Sequence, residues 1–195
     1  MPHTTLKAIA VAACLSFAGA AEAATIFKTT LAGTNENPPN ASLGTGQATL
    51  TLNGDTLNVA ASFSGLTGTV TAAHIHCCAL APANVGVATQ VPTFLGFPSG
   101  VTSGTYNHDF DLLDLATYNP AFVTANGGTA ASARDALLAG LGAEQAYFNV
   151  HTTVAPGGEI RGQFALVPEP ATWALFITGF GLAGLALRRR AALLA

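Results

Sequence analysis

Between residues 146 and 164, apolar and polar positions alternate with a period of two on both sides of a Pro156-Gly157-Gly158 turn. That is the pattern of a β-hairpin. Successive side chains on a strand point to opposite faces, so Tyr147, Asn149 and His151 share one face while Phe148 and Val150 take the other. Past the turn, Glu159, Arg161 and Gln163 share a face, with Ile160 and Phe164 opposite. A loop centred near Ala155 sets His151 across from Glu159 and Asn149 across from Arg161, with opposed side chains roughly 5 Å apart. One side of this hairpin is therefore polar and rich in chemistry, and the other is apolar enough for a core.

The same alternation predicts strands over 26–31, 47–52, 56–63, 69–76 and 106–112, with one further short strand near Thr93. Asn53-Gly54-Asp55 is a strong hairpin signal between the second and third of these. Polar or Pro- and Gly-rich loops fill 33–46, 79–104 and 117–128. One soluble helix follows. Ser132 is its expected cap with Asp135 as the capping-box acid, Leu137, Leu138 and Leu141 face inward, and Gly140 or Gly142 ends it. Short strands, frequent turns and one short helix predict an all-β fold: an antiparallel Greek-key, immunoglobulin-like sandwich or barrel.

The two ends break this pattern. Lys7 precedes an apolar run over 8–20 and then Ala21-Glu22-Ala23, which together read as a secretory signal peptide over 1–23. Val11-Ala12-Ala13-Cys14 has the look of a lipoprotein box, but the apolar segment before Cys14 is short for one. At the other end Pro168-Glu169-Pro170 introduces an apolar stretch over 171–187, closed by Arg188, Arg189 and Arg190. The stretch is near the lower limit for a transmembrane helix of ~20 residues. Its triple Arg predicts a cytoplasmic C-terminus, and Trp173 suits the opposite interface. The expected organisation is a signal peptide at 1–23, a β domain at 24–166 outside the inner membrane, and a sorting segment at 167–195.

Composition narrows the function. From 24 to 166, three basic side chains (Lys28, Arg134, Arg161) face eight acidic ones, a net charge of 3 − 8 = −5. A sparse acidic surface excludes nucleic acid, which needs a basic stripe, and gives no charge attraction to acidic polysaccharide. Cys14 leaves with the signal peptide, so Cys77 and Cys78 are the mature cysteines. In an oxidising compartment they pair as a vicinal disulfide, remain two thiols, or bond between molecules; the first is favoured and would lock the turn after His76.

Two readings fit the polar face. His74 and His76, two apart on one strand, and His151 on another present three imidazoles to a common side, a ligand set for zinc or copper at ~2.0 Å. Glu159 would orient the His151 ring from outside the ligand shell, with Asn149 and Arg161 beside it, and Cys77 or Cys78 would add a soft ligand. Alternatively the same residues are structural, their polar atoms spent on backbone partners. His108 with Asp109, Asp111 and Asp114 lacks the Gly and closing Glu of a calcium loop. The absence of a Gly-x-Ser-x-Gly elbow makes an enzyme the minority reading.

Two family resemblances add to this. Ala73-His74-Ile75-His76, then Tyr147-Phe148-Asn149-Val150-His151-Thr152 and Pro156-Gly157-Gly158-Glu159-Ile160-Arg161-Gly162-Gln163, resemble the opening and closing motifs of the CHRD domain over roughly 25–166. That resemblance implies an extracellular immunoglobulin-like β module without a well-defined activity. Pro168-Glu169-Pro170, the apolar stretch and the Arg cluster resemble the PEP-CTERM sorting signal. It implies recognition by an exosortase, a membrane protease-transpeptidase that removes the tail, with the inner membrane crossed transiently through 171–187. The expected destination is the surface or exopolysaccharide matrix of a Gram-negative bacterium, where a non-enzymatic structural or adhesive module would meet exopolysaccharide or surface proteins.

Overall fold

The computed structural model describes residues 24–168, 176–185 and 188. Eight strands follow the alternation closely: β1 (Thr25–Ala32), β2 (Thr45–Asn53), β3 (Thr56–Ser64), β4 (Val70–Cys77), β5 (Gly104–Asp111), β6 (Ala146–Thr152), β7 (Ile160–Gln163) and β8 (Ala165–Val167). Two helices, α1 (Pro120–Ala125) and α2 (Ala130–Gly142), lie between β5 and β6. All the strands join one antiparallel sheet in the order β4-β6-β7-β1-β2-β3-β5, with β8 added against β1. The all-β antiparallel expectation holds. It takes the form of a single sheet curled into a half-barrel rather than two packed sheets.

Curling one sheet leaves its concave side to be filled from elsewhere. Phe27, Leu31, Leu50, Leu57, Val59 and Phe63 line it from β1 to β3, and Ile75, Phe148, Val150 and Ile160 from β4, β6 and β7. Phe94 and Phe97, from the irregular segment between β4 and β5, close the space. Phe94 packs 5.9 Å from Phe148 and 5.3 Å from Phe110 between ring centroids, and Phe97 packs 5.6 Å from Phe63. Burying an aromatic of this size is worth about 1.5–3 kcal/mol.

The segment over 79–103 does more than supply aromatics. β4 is an edge strand, and an edge exposes unpaired backbone groups. Here the hydroxyls of Thr93 and Thr89 accept from the backbone N–H of Ala73 and Ile75 at 3.0 and 2.9 Å. The N–H of Ala88 and Phe94 donate to Ile75 and Ala73 carbonyls in return. Where a strand near Thr93 was expected, only isolated bridges form, His76 with Val87 and Thr89 with Tyr118. Pro92, Gly96 and Pro98 deny this stretch a continuous ladder.

The helices differ from expectation in number and phase. α1 occupies part of the stretch read as loop, with Asn119 as N-cap and Pro120 in the first turn. α2 begins earlier than expected: Thr129 is the cap, and Ser132 returns its hydroxyl as the second half of the capping box. Arg134 is drawn to Asp55 and Asp135. Gly142 ends the helix, whereas Gly140 serves a packing purpose.

Residues 176–185 are helical. Among the described residues no helix is long and apolar enough to cross a membrane. The expected signal peptide over 1–23 and most of the remaining expected sorting segment, including Glu169, Pro170, Arg189 and Arg190, lie outside the described residues.

Candidate metal centre

β4 and β6 run antiparallel with Ala72 opposite His151, His74 opposite Asn149 and His76 opposite Tyr147. His151 therefore sits diagonally from His74 on the same face, and His74 and His76 share that face by the pleat. Ring centroids are 5.2 Å apart for His74 and His151, 5.7 Å for His76 and His151, and 5.8 Å for His74 and His76. One ring nitrogen from each lies within 4.8 Å of those from the other two. The three imidazoles that the alternation placed on one side do meet.

Their other nitrogens fix the tautomers. His74 Nε2 is 2.6 Å from the Pro92 carbonyl, His76 Nδ1 is 2.8 Å from the Val85 carbonyl, and His151 Nδ1 is 3.0 Å from the Pro156 carbonyl. A carbonyl only accepts, so each of these nitrogens carries a proton and donates it. In the neutral ring the opposite nitrogen is then a bare lone pair. Those atoms are His74 Nδ1, His76 Nε2 and His151 Nε2, each buried and without a hydrogen-bond partner. A buried unsatisfied acceptor costs about 1–3 kcal/mol, and three such acceptors converge here.

The electrostatics keep the rings in the ligating form. Burial lowers the affinity of His76 for a proton to a pKa of about 4, against the pull of its Val85 bond, and the His151, His74 and Arg161 charges push the same way as burial. Burial likewise lowers His74 and His151. All three are neutral at neutral pH, the state that binds metal. Two ligands at about 2.0 Å from one ion stand at most ~4 Å apart, so nitrogens spread as far as 4.8 Å would have to close slightly on an ion.

The outer residues fall differently from expectation. Asn149 does lie opposite Arg161 in the β6–β7 ladder. Glu159, however, does not orient His151. Its carboxylate accepts from Ser42 Oγ and Thr152 Oγ1, both at 2.6 Å, and from the backbone N–H of Thr67 at 2.6 Å and Gly68 at 3.0 Å. It ties two loops to the hairpin. Arg161 donates to the carbonyls of Asn35 and Pro82 and to Asn84 Oδ1, and its guanidinium lies 4.7 Å over the Tyr147 ring. Beside it Glu36 is buried, 3.9 Å from Arg161 Nε. Gly158, at φ 130°, sits where a Cβ would strike the Asn149 amide and Glu36 Oε1; only glycine fits that turn.

Cys77 and Cys78 are joined as a vicinal disulfide, which removes both thiols from the ligand set. A Cβ on Gly140 of α2 would lie 2.3 Å from Cys77 Sγ and 2.7 Å from Cys78 Sγ, so the helix seats directly on the bridge. The acidic stretch after His108 makes no cluster. Asp109 accepts from Asn58, Asp111 from the Leu113 N–H, and Asp114 caps the turn at Ala116. Four contributors escaped the sequence reading: Tyr147, stacked on His76, and the Val85, Pro92 and Pro156 carbonyls. Tyr147 alternates onto the same face as His151, which was a signal; single carbonyls in an irregular segment or a turn leave none.

Compared with known protein families, residues 27–164 match the model of the CHRD domain. Residues 166–190 match that of the PEP-CTERM protein-sorting motif. No match was found among curated proteins or among solved structures.

Proposed function

We infer the following for a chain that belongs to the CHRD-domain family and ends in a PEP-CTERM protein-sorting motif: it is an exported protein, sorted by an exosortase-type system, whose β domain holds one copper or zinc ion between His74, His76 and His151. The sorting half follows from the C-terminal motif. The metal half is carried by one observation: three neutral imidazoles, each fixed by a backbone carbonyl, leave three unpartnered buried nitrogens at a common point. Tautomer control by a hydrogen bond on the far nitrogen is the usual support of a ligating His.

The test is elemental analysis of the protein recovered from the extracytoplasmic fraction. The expected result is one copper or zinc per chain, lost in His74→Ala and in His151→Ala. A folded protein that stays metal-free in the presence of both ions overturns the reading.

A second role fits around the first. The sorting motif alone favours residence at the cell surface or in an exopolysaccharide matrix of a Gram-negative bacterium, with a structural or adhesive task there. Transient insertion of 171–187 in the inner membrane, before the tail is removed, belongs to the same reading. Its test is co-sedimentation of the exported protein with native matrix polysaccharide. Failure with every matrix fraction counts against adhesion and leaves the metal site untouched.

A further inference from the structure

We propose that the histidine triad is built for monovalent copper, Cu(I), in preference to zinc or cupric ion. This rests on the metal reading above and adds the charge of the ion and its coordination number.

The first argument is charge. Among the described residues the cluster contains three imidazoles and no carboxylate or thiolate. Glu159, the acidic group the sequence places nearest, spends its oxygens on four donors elsewhere. Both cysteine sulfurs are consumed in the bridge. A fixed cation stands behind the triad: Arg161, 4% exposed, lies over Tyr147, whose ring stacks in turn on His76. Glu36, the carboxylate beside that guanidinium, is 3.9 Å from its Nε and is not part of the cluster. The cost of burying an ion grows as the square of its charge, so a divalent ion pays about four times what a monovalent one does in this uncompensated setting.

The second argument is coordination. A zinc bound by three histidines completes its tetrahedron with water, and the hydroxide formed there offsets its charge. Cupric ion favours tetragonal sites with four or more ligands. The three free nitrogens here are shut away from solvent, and among the described residues no further His, Cys, Asp or Glu joins them. A closed, neutral, three-nitrogen site satisfies a d¹⁰ monovalent ion that is content with three ligands. It leaves either divalent ion short of a ligand and of a counter-charge. Binding Cu(I) as such involves no electron transfer, so no oxidant or reductant enters the step.

The experiment is anaerobic titration of the metal-stripped exported protein with Cu(I) against a chromogenic Cu(I) chelator, repeated with Zn(II) and Cu(II) against chelators suited to each. The expected outcome is one equivalent of Cu(I), held at least about a hundredfold more tightly than Zn(II). His151→Ala is expected to abolish that equivalent. Should that variant fail to fold, X-ray absorption of the wild-type copper complex reports the same point: nitrogen scatterers without sulfur place the ion on the triad, and sulfur scatterers overturn it. Tighter binding of zinc or cupric ion overturns the proposal but leaves a metal protein. Binding of none of the three by folded protein overturns the metal reading itself.

Discussion

The imidazole of His76 lies flat against the phenol ring of Tyr147, with centroids 4.8 Å apart and planes 5° from parallel. The two residues are cross-strand partners on β4 and β6, and both reach the Val85 carbonyl, His76 Nδ1 at 2.8 Å and the Tyr147 hydroxyl at 3.4 Å. Arg161 covers the same phenol ring. The ring torsion of His76 is thus set by a stack and by a hydrogen bond, which together fix where its free nitrogen points.

Tyr147 is accordingly a positioning residue. Tyr147→Ala is expected to weaken metal binding by about 10–100-fold, the usual cost of losing an outer support of a ligand. Tyr147→Phe keeps the stack and is expected to stay within a few-fold of wild type. Competition titration of both variants checks this. Equal losses would assign the effect to the hydroxyl and the Val85 carbonyl instead.

Glu159 separates structure from metal support. Its carboxylate is buried, which by itself raises the pKa, but the Ser42, Thr152, Thr67 and Gly68 hydrogen bonds outweigh that and hold it below the ordinary value. With the folded pKa depressed, its contribution is present above the unfolded value and is lost as pH falls through the folded one. Glu159→Ala leaves the buried Gly68 N–H and the part-buried Thr67 N–H unpaired and is expected to cost on the order of 2–4 kcal/mol in urea unfolding at pH 7. Folded Glu159→Gln is expected to bind metal like the wild type. A large loss of affinity there would restore the orienting role that the sequence suggested.

Much of this was legible along the chain because period-two patterning reports faces directly. Asn53-Gly54 forecast the β2–β3 turn, where Gly54 has φ 57°, and the faces of β4 and β6 forecast the meeting of His74, His76 and His151. What escaped depends on partners far away in sequence. Glu159 is held by Thr67 and Gly68, more than ninety residues off, and nothing near it in the chain records that. The carbonyls of Val85 and Pro92 are backbone atoms, which sequence does not distinguish. α1 was hidden by Asn126-Gly127-Gly128, although Asn119-Pro120 is a helix-start signal. The curl of one sheet, rather than two, follows from strand order, to which alternation is blind.

Gly140 gives a prediction with a sign. In an ordinary helix interior Gly→Ala gains about 1 kcal/mol. At this position the new Cβ meets both sulfurs of the Cys77–Cys78 bridge, and overpacking costs about 1–3 kcal/mol. Gly140→Ala is expected to lower the melting temperature of the oxidised protein. In a Cys77→Ala/Cys78→Ala background the same substitution is expected to raise it, because the obstructing sulfurs are gone. Thermal melts of the four proteins check the reversal, and a loss of equal size in both backgrounds removes the bridge as its cause.

Glu36 makes the pH dependence of the metal-free protein readable. Burial pushes its pKa up from 4.5 to about 7, held back by the Arg161 charge and the Asn149 side chain. A folded pKa above the unfolded one means the native state holds a proton the unfolded chain lacks between these values, so this group's contribution is full below pH 4.5 and is lost as pH rises through 7. His76 acts the opposite way: with its pKa near 4 in the fold against 6.5 unfolded, its contribution is lost as pH falls between them. The two oppose one another over most of the acid range, but burial lowers His74 and His151 too, so wild type is expected to lose stability toward acid with Glu36 blunting the slope. Glu36→Gln imitates the protonated acid at every pH. It is expected to be more stable than wild type at pH 8 by on the order of 1–3 kcal/mol, with the gap closing toward pH 5 and a steeper acid limb left to the histidines. Urea unfolding across that range reads both features. If Glu36→Gln is instead the less stable protein at pH 8, attraction to Arg161 at 3.9 Å outweighs the desolvation of the carboxylate, and the ion pair is what this buried acid contributes.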